Sequence, residues 1–329
     1  MPDHGRRARL RARVARLRVV PARPAPARAH ADRPHPHHRR PRVRGARLHP
    51  VVLAALLLAS RFFVTGDGTL SLVNAHTDER ATVRYRRGDA TYDTQAIGRI
   101  RHLFRSQGDA RETDVPLRLV EVLAWLQHTA GGKPLVVLSG YRSPDYNQDL
   151  KAQGRAVAGG SLHTEGLAAD LAFPRTDLPR LWHRVRDLDC CGAGYYAKEG
   201  FLHVDVGRPR FWEATTSRVD ENLSAGNARV FARTEFDRYA AGEGVVVTLH
   251  AATVPPVLVR REARLGGESV RVESELPERE GCYEVRGPGA RLKVVGVPAV
   301  RRAPVVLSTC EPRVERTPET VETNPIEVR

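Results

Sequence analysis

The chain has 329 residues, enough for about two domains, and its 41% hydrophobic but only 6% aromatic content predicts an aliphatic core. A formal charge of +15 would suggest nucleic acid or an anionic surface, but residues 1–50 hold fifteen arginines against Asp3 and Asp32, an excess of thirteen that leaves +2 for the other 279 residues. A nucleic-acid interface needs its basic footprint on a folded face, so nucleic acid is excluded as the partner of the folded part.

Residues 1–50 repeat Arg, Ala, Pro and His without an apolar period and have no means of burying a core. They read as a disordered basic arm or, the reading we favour, as sequence upstream of the native start. Residues 51–60, VVLAALLLAS, form a short apolar run behind Arg44, Arg47 and His49. Ten residues are too few for a helix to cross ~30 Å of hydrocarbon, and a basic flank before a short apolar run is the pattern of a secretory signal. Phe62, Phe63 and Val64 extend it weakly past Arg61, so 51–64 is taken as a signal-like segment, with inner-membrane anchoring as the alternative.

Residues 69–73 and 81–85 alternate polar and apolar like two strands, with a turn between them. Ile97, Ile100, Leu103 and Phe104 recur at helical spacing behind the N-cap candidates Asp93 and Thr94. A second helix starts at Pro116, buries Leu119, Val120, Leu123 and Leu126, and stops at Gly131 and Gly132. Residues 135–138, LVVL, suit a central strand. Residues 213–228 read as a linker. Beyond it, β-branched runs separated by Gly and Pro predict a small all-β unit, sandwich or barrel-like, over 229–314, and the Thr-, Glu- and Pro-rich residues 315–329 read as a disordered tail. The fold class expected is therefore α+β, a mixed α/antiparallel-β domain at 69–212 followed by the all-β unit. No Cys-x-x-Cys pair exists, which excludes a zinc ribbon. Cys282 and Cys310 could pair if the chain is exported, whereas Cys190 and Cys191 read as buried apolar filler.

Two stretches carry chemistry. In Ser161-Leu-His-Thr-Glu-Gly-Leu-Ala-Ala-Asp170, the seven-residue gap between His163 and Asp170 is too long for adjacent helical turns and fits a loop returning into a strand, with Gly166 at the bend. In Phe201-Leu-His-Val-Asp205, strand alternation puts His203 and Asp205 on one face, and Leu202 and Val204 on the other. Histidine and carboxylate are zinc ligands, and a catalytic zinc takes three protein ligands and keeps one position open. Asp170 lies in an apolar setting, where an unpaired carboxylate is costly unless a cation answers it.

These stretches, in order behind Ser139-Gly-Tyr-Arg-Ser-Pro144 and with Gly194-Tyr-Tyr196 before Phe201, resemble the M15-type zinc peptidases, and within them the MepK-type (YcbK-type, DUF882) murein endopeptidases. The resemblance covers about 69–212. It implies that His163, Asp170 and His203 bind Zn2+, that zinc-activated water attacks a peptide bond of bacterial peptidoglycan, and that Arg142 grips a substrate carboxylate or polarises the scissile carbonyl. Tyr141 and Ser161 are the further substrate-contact candidates, Ser161 also orienting the ligand loop. Arg142 could instead pair with Asp145. Related carboxypeptidases carry a Glu three residues before the last ligand, and other relatives a His two before it; here Gly200 and Phe201 stand there. Asp205 is then the first choice as general base, ahead of Glu199 and Glu165.

The resulting expectation is an exported zinc metallopeptidase of the periplasm or cell envelope that cleaves cross-links between peptidoglycan stem peptides. Two alternatives stay open: a catalytically inactive zinc-containing module that binds wall peptides, and a D,D-carboxypeptidase. Trp125 and Trp182 are assigned to the core, and Trp212 to packing at the end of the domain.

Overall fold

The computed structural model describes residues 60–154, 160–216, 230–250, 255–314 and 316–329. The basic tail, residues 51–59 of the signal-like segment, and most of the 213–228 linker lie outside the described residues.

Seven strands form the first sheet: β1 (Thr69–Asn74), β2 (Arg80–Arg84), β3 (Leu135–Ser139), β4 (Ala168–Ala172), β5 (Gly192–Tyr196), β6 (Phe201–Asp205) and β7 (Arg210–Glu213). Their spatial order is β2-β1-β3-β4-β6-β5-β7. The sheet is mixed rather than wholly antiparallel as expected, because β1 runs parallel to β3 and β5 parallel to β7. Parallel neighbours require a crossover. Helices α1 (Thr94–Leu103) and α2 (Leu117–Thr129) make the one between β1 and β3.

The helices start and bury as their sequences predict. The Asp93 carboxylate accepts from the N–H groups of Gln95 and Ala96, and Arg101 and His102 lie in the last turn, where basic groups answer the helix dipole. Leu119, Val120, Leu123 and Leu126 of α2 are fully buried against the sheet. Glu121, on the same helix, is also fully buried. It accepts hydrogen bonds from Tyr85 Oη at 2.8 Å, Tyr92 Oη at 2.9 Å, Arg86 Nε at 2.7 Å and the Gly66 N–H at 3.0 Å. A carboxylate so provided for is a tie between the helix and the incoming chain. Further along, α3 (Pro144–Ala152) begins at Ser143, whose hydroxyl accepts from Tyr146 N, and α4 (Leu178–Asp187) packs beside β5.

Residues 60–64 belong to this folded body, which corrects the reading of Phe62, Phe63 and Val64 as the end of a signal. Phe62 is 1% exposed, Phe63 N donates to Asp237 Oδ2 at 2.8 Å, and Arg61 O accepts from Asp237 N at 2.8 Å. Among the described residues no helix is long and apolar enough to cross a membrane.

The second sheet holds ten strands. They are β8 (Phe231–Thr234), β9 (Arg238–Tyr239), β10 (Val245–His250), β11 (Val257–Leu265), β12 (Glu268–Glu273), β13 (Glu278–Arg279), β14 (Cys282–Val285), β15 (Ala290–Val295), β16 (Val300–Thr309) and β17 (Thr320–Val328). The sheet curls, so that the Asn324 side chain of β17 reaches the backbone N–H and the hydroxyl of Thr234 on β8. Strand β17 corrects the expectation of a disordered tail. Val321 and Thr323 point inward while Thr320 and Glu322 point out, so a period of two lay hidden in a composition that looked merely polar. Each sheet has its own apolar core, and both lie within one compact unit, Ser60–Arg329.

Both cysteine pairs are bonded. Cys282–Cys310 links β14 (Cys282–Val285) to the residue following β16. Cys190–Cys191 corrects the reading of that pair as free, buried filler: it lies in the turn between α4 and β5, where strand alternation does not hold the two side chains apart.

Candidate metal centre

Sheet register assembles the site. Ser139 of β3 lies opposite Asp170 of β4, Asp170 opposite His203 of β6, His203 opposite Gly194 of β5, and Gly194 opposite Trp212 of β7. Cross-strand neighbours share a face, so one row across five strands carries two of the three predicted ligands. The third, His163, comes from the 3-10 turn Leu162–Glu165. Ser161 caps this turn, its hydroxyl accepting from His163 N at 3.3 Å. The turn ends at Gly166 with φ +71°, a left-handed conformation that favours glycine. Gly194 is required for a different reason. A Cβ there would come within 2.5–2.7 Å of three Trp212 indole atoms, so only glycine lets the indole lean over β5 towards His203, at 5.3 Å between ring centres.

The three side chains converge. His163 Nε2 is 3.2 Å from His203 Nδ1 and 3.3 Å from Asp170 Oδ1, and His203 Nδ1 is 2.9 Å from Asp170 Oδ1. All three residues are at least nine-tenths buried. The far side of each ring is tied down. His163 Nδ1 donates to Gly140 O at 2.7 Å, and His203 Nε2 donates to Asp205 Oδ2 at 3.1 Å. Because those nitrogens carry the protons, neutral rings turn their lone pairs towards Asp170 Oδ1. Arg142 Nη2 donates to the other oxygen, Asp170 Oδ2, at 2.7 Å, and Arg142 Nε donates to Ser139 Oγ at 2.9 Å.

The electrostatics follow from this crowding. Burial depresses His163, and the Arg142 charge adds to that effect. Burial alone would depress His203 too, but its bonds to Asp170 and Asp205 outweigh it and hold the ring above the usual histidine range. Burial opposes ionisation of Asp170, yet His163, His203 and Arg142 together hold its carboxyl well below the usual carboxylate range.

Several expectations need revision. Asp205 shares a face with His203, as alternation predicted, but it lies behind the imidazole, away from the converging atoms. It is fully buried, with Oδ2 also accepting from Arg210 Nη2 at 2.7 Å and Oδ1 from Gly207 N at 2.8 Å. That position suits orienting the ring, not serving as general base. Glu165 is engaged elsewhere, bonded to His250. Arg142 pairs with Asp170 rather than Asp145, which pairs with Arg111 at 2.8 Å. Tyr141 is half-buried next to Arg142, its N–H donating to Phe104 O. Trp212, assigned to packing, instead flanks His203 and donates through Nε1 to Tyr196 Oη at 3.4 Å; Tyr196 in turn stacks on Phe201 at 4.4 Å. The sequence offered a signal for the Asp205 role, two residues from a ligand on one strand. It offered none for the Gly140 carbonyl.

A family model described as Peptidoglycan L,D-endopeptidase MepK matches residues 64–212. Peptidoglycan L,D-endopeptidase MepK of Escherichia coli (strain K12) is 32% identical over 167 residues, covering 49% of this chain and 91% of the relative. The protein of the same name from Shigella flexneri gives the same figures. A probable peptidoglycan L,D-endopeptidase MepK of Haemophilus influenzae is 36% identical over 77 residues, 23% of this chain and 41% of the relative. No solved structure gives a significant match. With a relative 32% identical and matched over 91% of its length, the chain belongs to the MepK-like murein endopeptidase family of M15 peptidases.

Proposed function

We propose that this protein is a zinc-dependent peptidoglycan L,D-endopeptidase acting in the cell envelope, with His163, Asp170 and His203 as the metal ligands. The observation that carries the reading is the triangle of Nε2, Oδ1 and Nδ1 with edges of 3.3, 2.9 and 3.2 Å. Zinc bonds of about 2.0–2.1 Å in tetrahedral arrangement imply ligand–ligand edges of about 3.3 Å. The donor set fits as well: two neutral imidazole lone pairs and a carboxylate oxygen meet in a buried space, an arrangement that only a cation or a shared proton relieves. Zinc bound there would supply Lewis acidity and bring the pKa of a coordinated water towards ~7.

The chain's own residues then have separable tasks. The Gly140 carbonyl and the Asp205 carboxylate fix the tautomer and tilt of the two rings. Arg142 occupies the second oxygen of Asp170, so that Oδ1 is the one presented to the metal. Arg142 borders the centre at Asp170, and Trp212 borders it at His203, backed by Tyr196 and Phe201. Stem peptides rich in carboxylates suit a guanidinium at that border. Gly200 and Phe201 replace the bases of related carboxypeptidases and other relatives, and no residue is assigned to that task. The relatives' names support cleavage of L,D bonds in peptidoglycan and an envelope location, and they favour endopeptidase over D,D-carboxypeptidase activity.

Purified full-length protein offered L,D-cross-linked dimers, D,D-cross-linked dimers and pentapeptide monomers tests this directly. Consumption of the L,D dimers alone is expected, abolished by a chelator, restored by zinc and lost in His163→Ala. A folded protein holding one equivalent of zinc that leaves every substrate intact would establish the wall-peptide-binding module instead. Shortened monomers with uncut dimers would establish a carboxypeptidase.

A further inference from the structure

The family match ends at residue 212, yet the second sheet reaches back to the ligand-bearing parts of the first. Three residues of the paired strands β8 and β10 make the contacts, and two of them, Phe231 and His250, lie opposite each other. Phe231 belongs to the apolar core of the first sheet, not to that of its own. His250 is 6% exposed and stacks on Phe231 with ring centres 4.6 Å apart and planes 12° apart. From there His250 Nδ1 donates to Glu165 Oε2 at 2.6 Å. Glu165 is the last residue of the 3-10 turn that carries His163. On the other flank, Arg233 of β8 donates through Nη2 to Gly207 O and to Cys190 O. Gly207 is the residue whose N–H holds Asp205, and Asp205 holds the His203 ring. The two strands therefore grip both ligand-bearing segments, at Glu165 within the His163 turn and at Gly207, two hydrogen bonds from His203.

We propose that His250 is a positioning residue for the metal centre. Stacked on Phe231, it clamps the His163 turn through Glu165, so that the second sheet is a built-in part of the site. A short turn, half-buried at Thr164 and Glu165, can open locally unless it is held. Its other anchors are the Ser161 cap, the bond from His163 Nδ1 to Gly140 O, and the Arg142 N–H donating to His163 O at 3.1 Å. Glu165 is the residue of the turn that bonds to the second sheet. A ring that is itself immobilised by stacking makes a stiff partner for it. Residues that hold ligands in place in this way usually affect metal affinity by about ten- to a hundred-fold.

The inference rests on the metal reading of the same site, so its test has one readout with metal and one without. In the full chain, His250→Phe keeps a ring on Phe231 but removes the donor, while His250→Asn restores an N–H near the position of Nδ1. In metal-free protein, His250→Phe should speed amide hydrogen exchange at residues 162–167 by about ten-fold and leave α2 unchanged. Chelator competition should show zinc bound about ten-fold more weakly, and His250→Asn should recover both to within about three-fold of the parent. Unaltered exchange in the turn, or acceleration spread evenly over the chain, would overturn the proposal. So would undiminished zinc affinity in the face of a loosened turn. If the parent itself binds no zinc while the turn still loosens and is rescued, the metal reading fails and the clamp stands. Should His250→Phe not fold, Glu165→Ala breaks the same bond from its other end and is judged by the same two readouts.

Discussion

The two sheets of this protein solve different problems with similar strands. The first buries charge: Asp170, His203 and Asp205 lie on neighbouring strands β4 and β6, and Glu121 lies in α2, bonded to Tyr85, Arg86 and Tyr92. Each of these carboxylates is held by several donors. The second sheet keeps its middle dry, with Val245, Val247, Leu249, Leu265, Val305 and Leu307 all fully buried. It meets the first sheet through charged and polar contacts, as in the pair of Arg118 with Asp237 and in the contact of His250 with Glu165. A buried polar cluster is stabilising only when complete, whereas an aliphatic core tolerates change in proportion to the volume removed. The first sheet has therefore given up tolerance for a chemical centre, and the second supplies the rigid backing.

The contrast can be broken or sharpened by substitution. The largest effect is expected from Glu121→Ala, which takes a carboxylate away from Arg86, Tyr85 and Tyr92 at once. Urea unfolding should show a loss of about 3–5 kcal/mol, as for a buried charge stripped of its partner, and a loss below about 1 kcal/mol would mean that the network is not a support of the first sheet. Next comes Leu307→Ala in the second core, where the removed volume should cost about 3 kcal/mol with zinc affinity unchanged. A simultaneous fall in zinc affinity would erase the division of labour between the sheets. Asp205→Asn ranks third. It preserves shape while weakening the hold on His203, and chelator competition should report zinc binding about ten-fold weaker. Affinity equal to the parent's would show that the His203 ring needs no carboxylate behind it. The smallest effect belongs to Arg271→Ala on the outer face of the second sheet. Its partner Glu273 is 2.7 Å away, but both side chains are well exposed, and solvent screening limits the change to about 0.5 kcal/mol or less.

Much of the site was legible before any fold was known, because ligand chemistry and local period are properties of short stretches. His163, Asp170 and His203 were identifiable from residue type, from the gap between the first two and from the alternation around the third. The helices at 94–103 and 117–129 announced themselves through Asp93, Pro116 and their apolar spacing. Where reading failed, the deciding information was non-local or masked by composition. Strand β17 was missed because Thr and Glu occupy its outward positions. The bond between Cys190 and Cys191 depends on an irregular turn for which no period exists.

What the sequence determined by itself was the set of groups able to hold a metal and the strand face that His203 shares with Asp205. Tertiary structure alone decided which groups hold those ligands. Register placed Ser139, Asp170, His203, Gly194 and Trp212 in one row, put Asp205 behind an imidazole instead of before it, turned Arg142 to Asp170, and brought His250 from a second sheet to the end of the His163 turn. The reason is physical: a side chain's chemistry travels with its residue, but the direction of a lone pair is set by whatever lies on the far side of the ring, and that neighbour comes from a distant part of the chain.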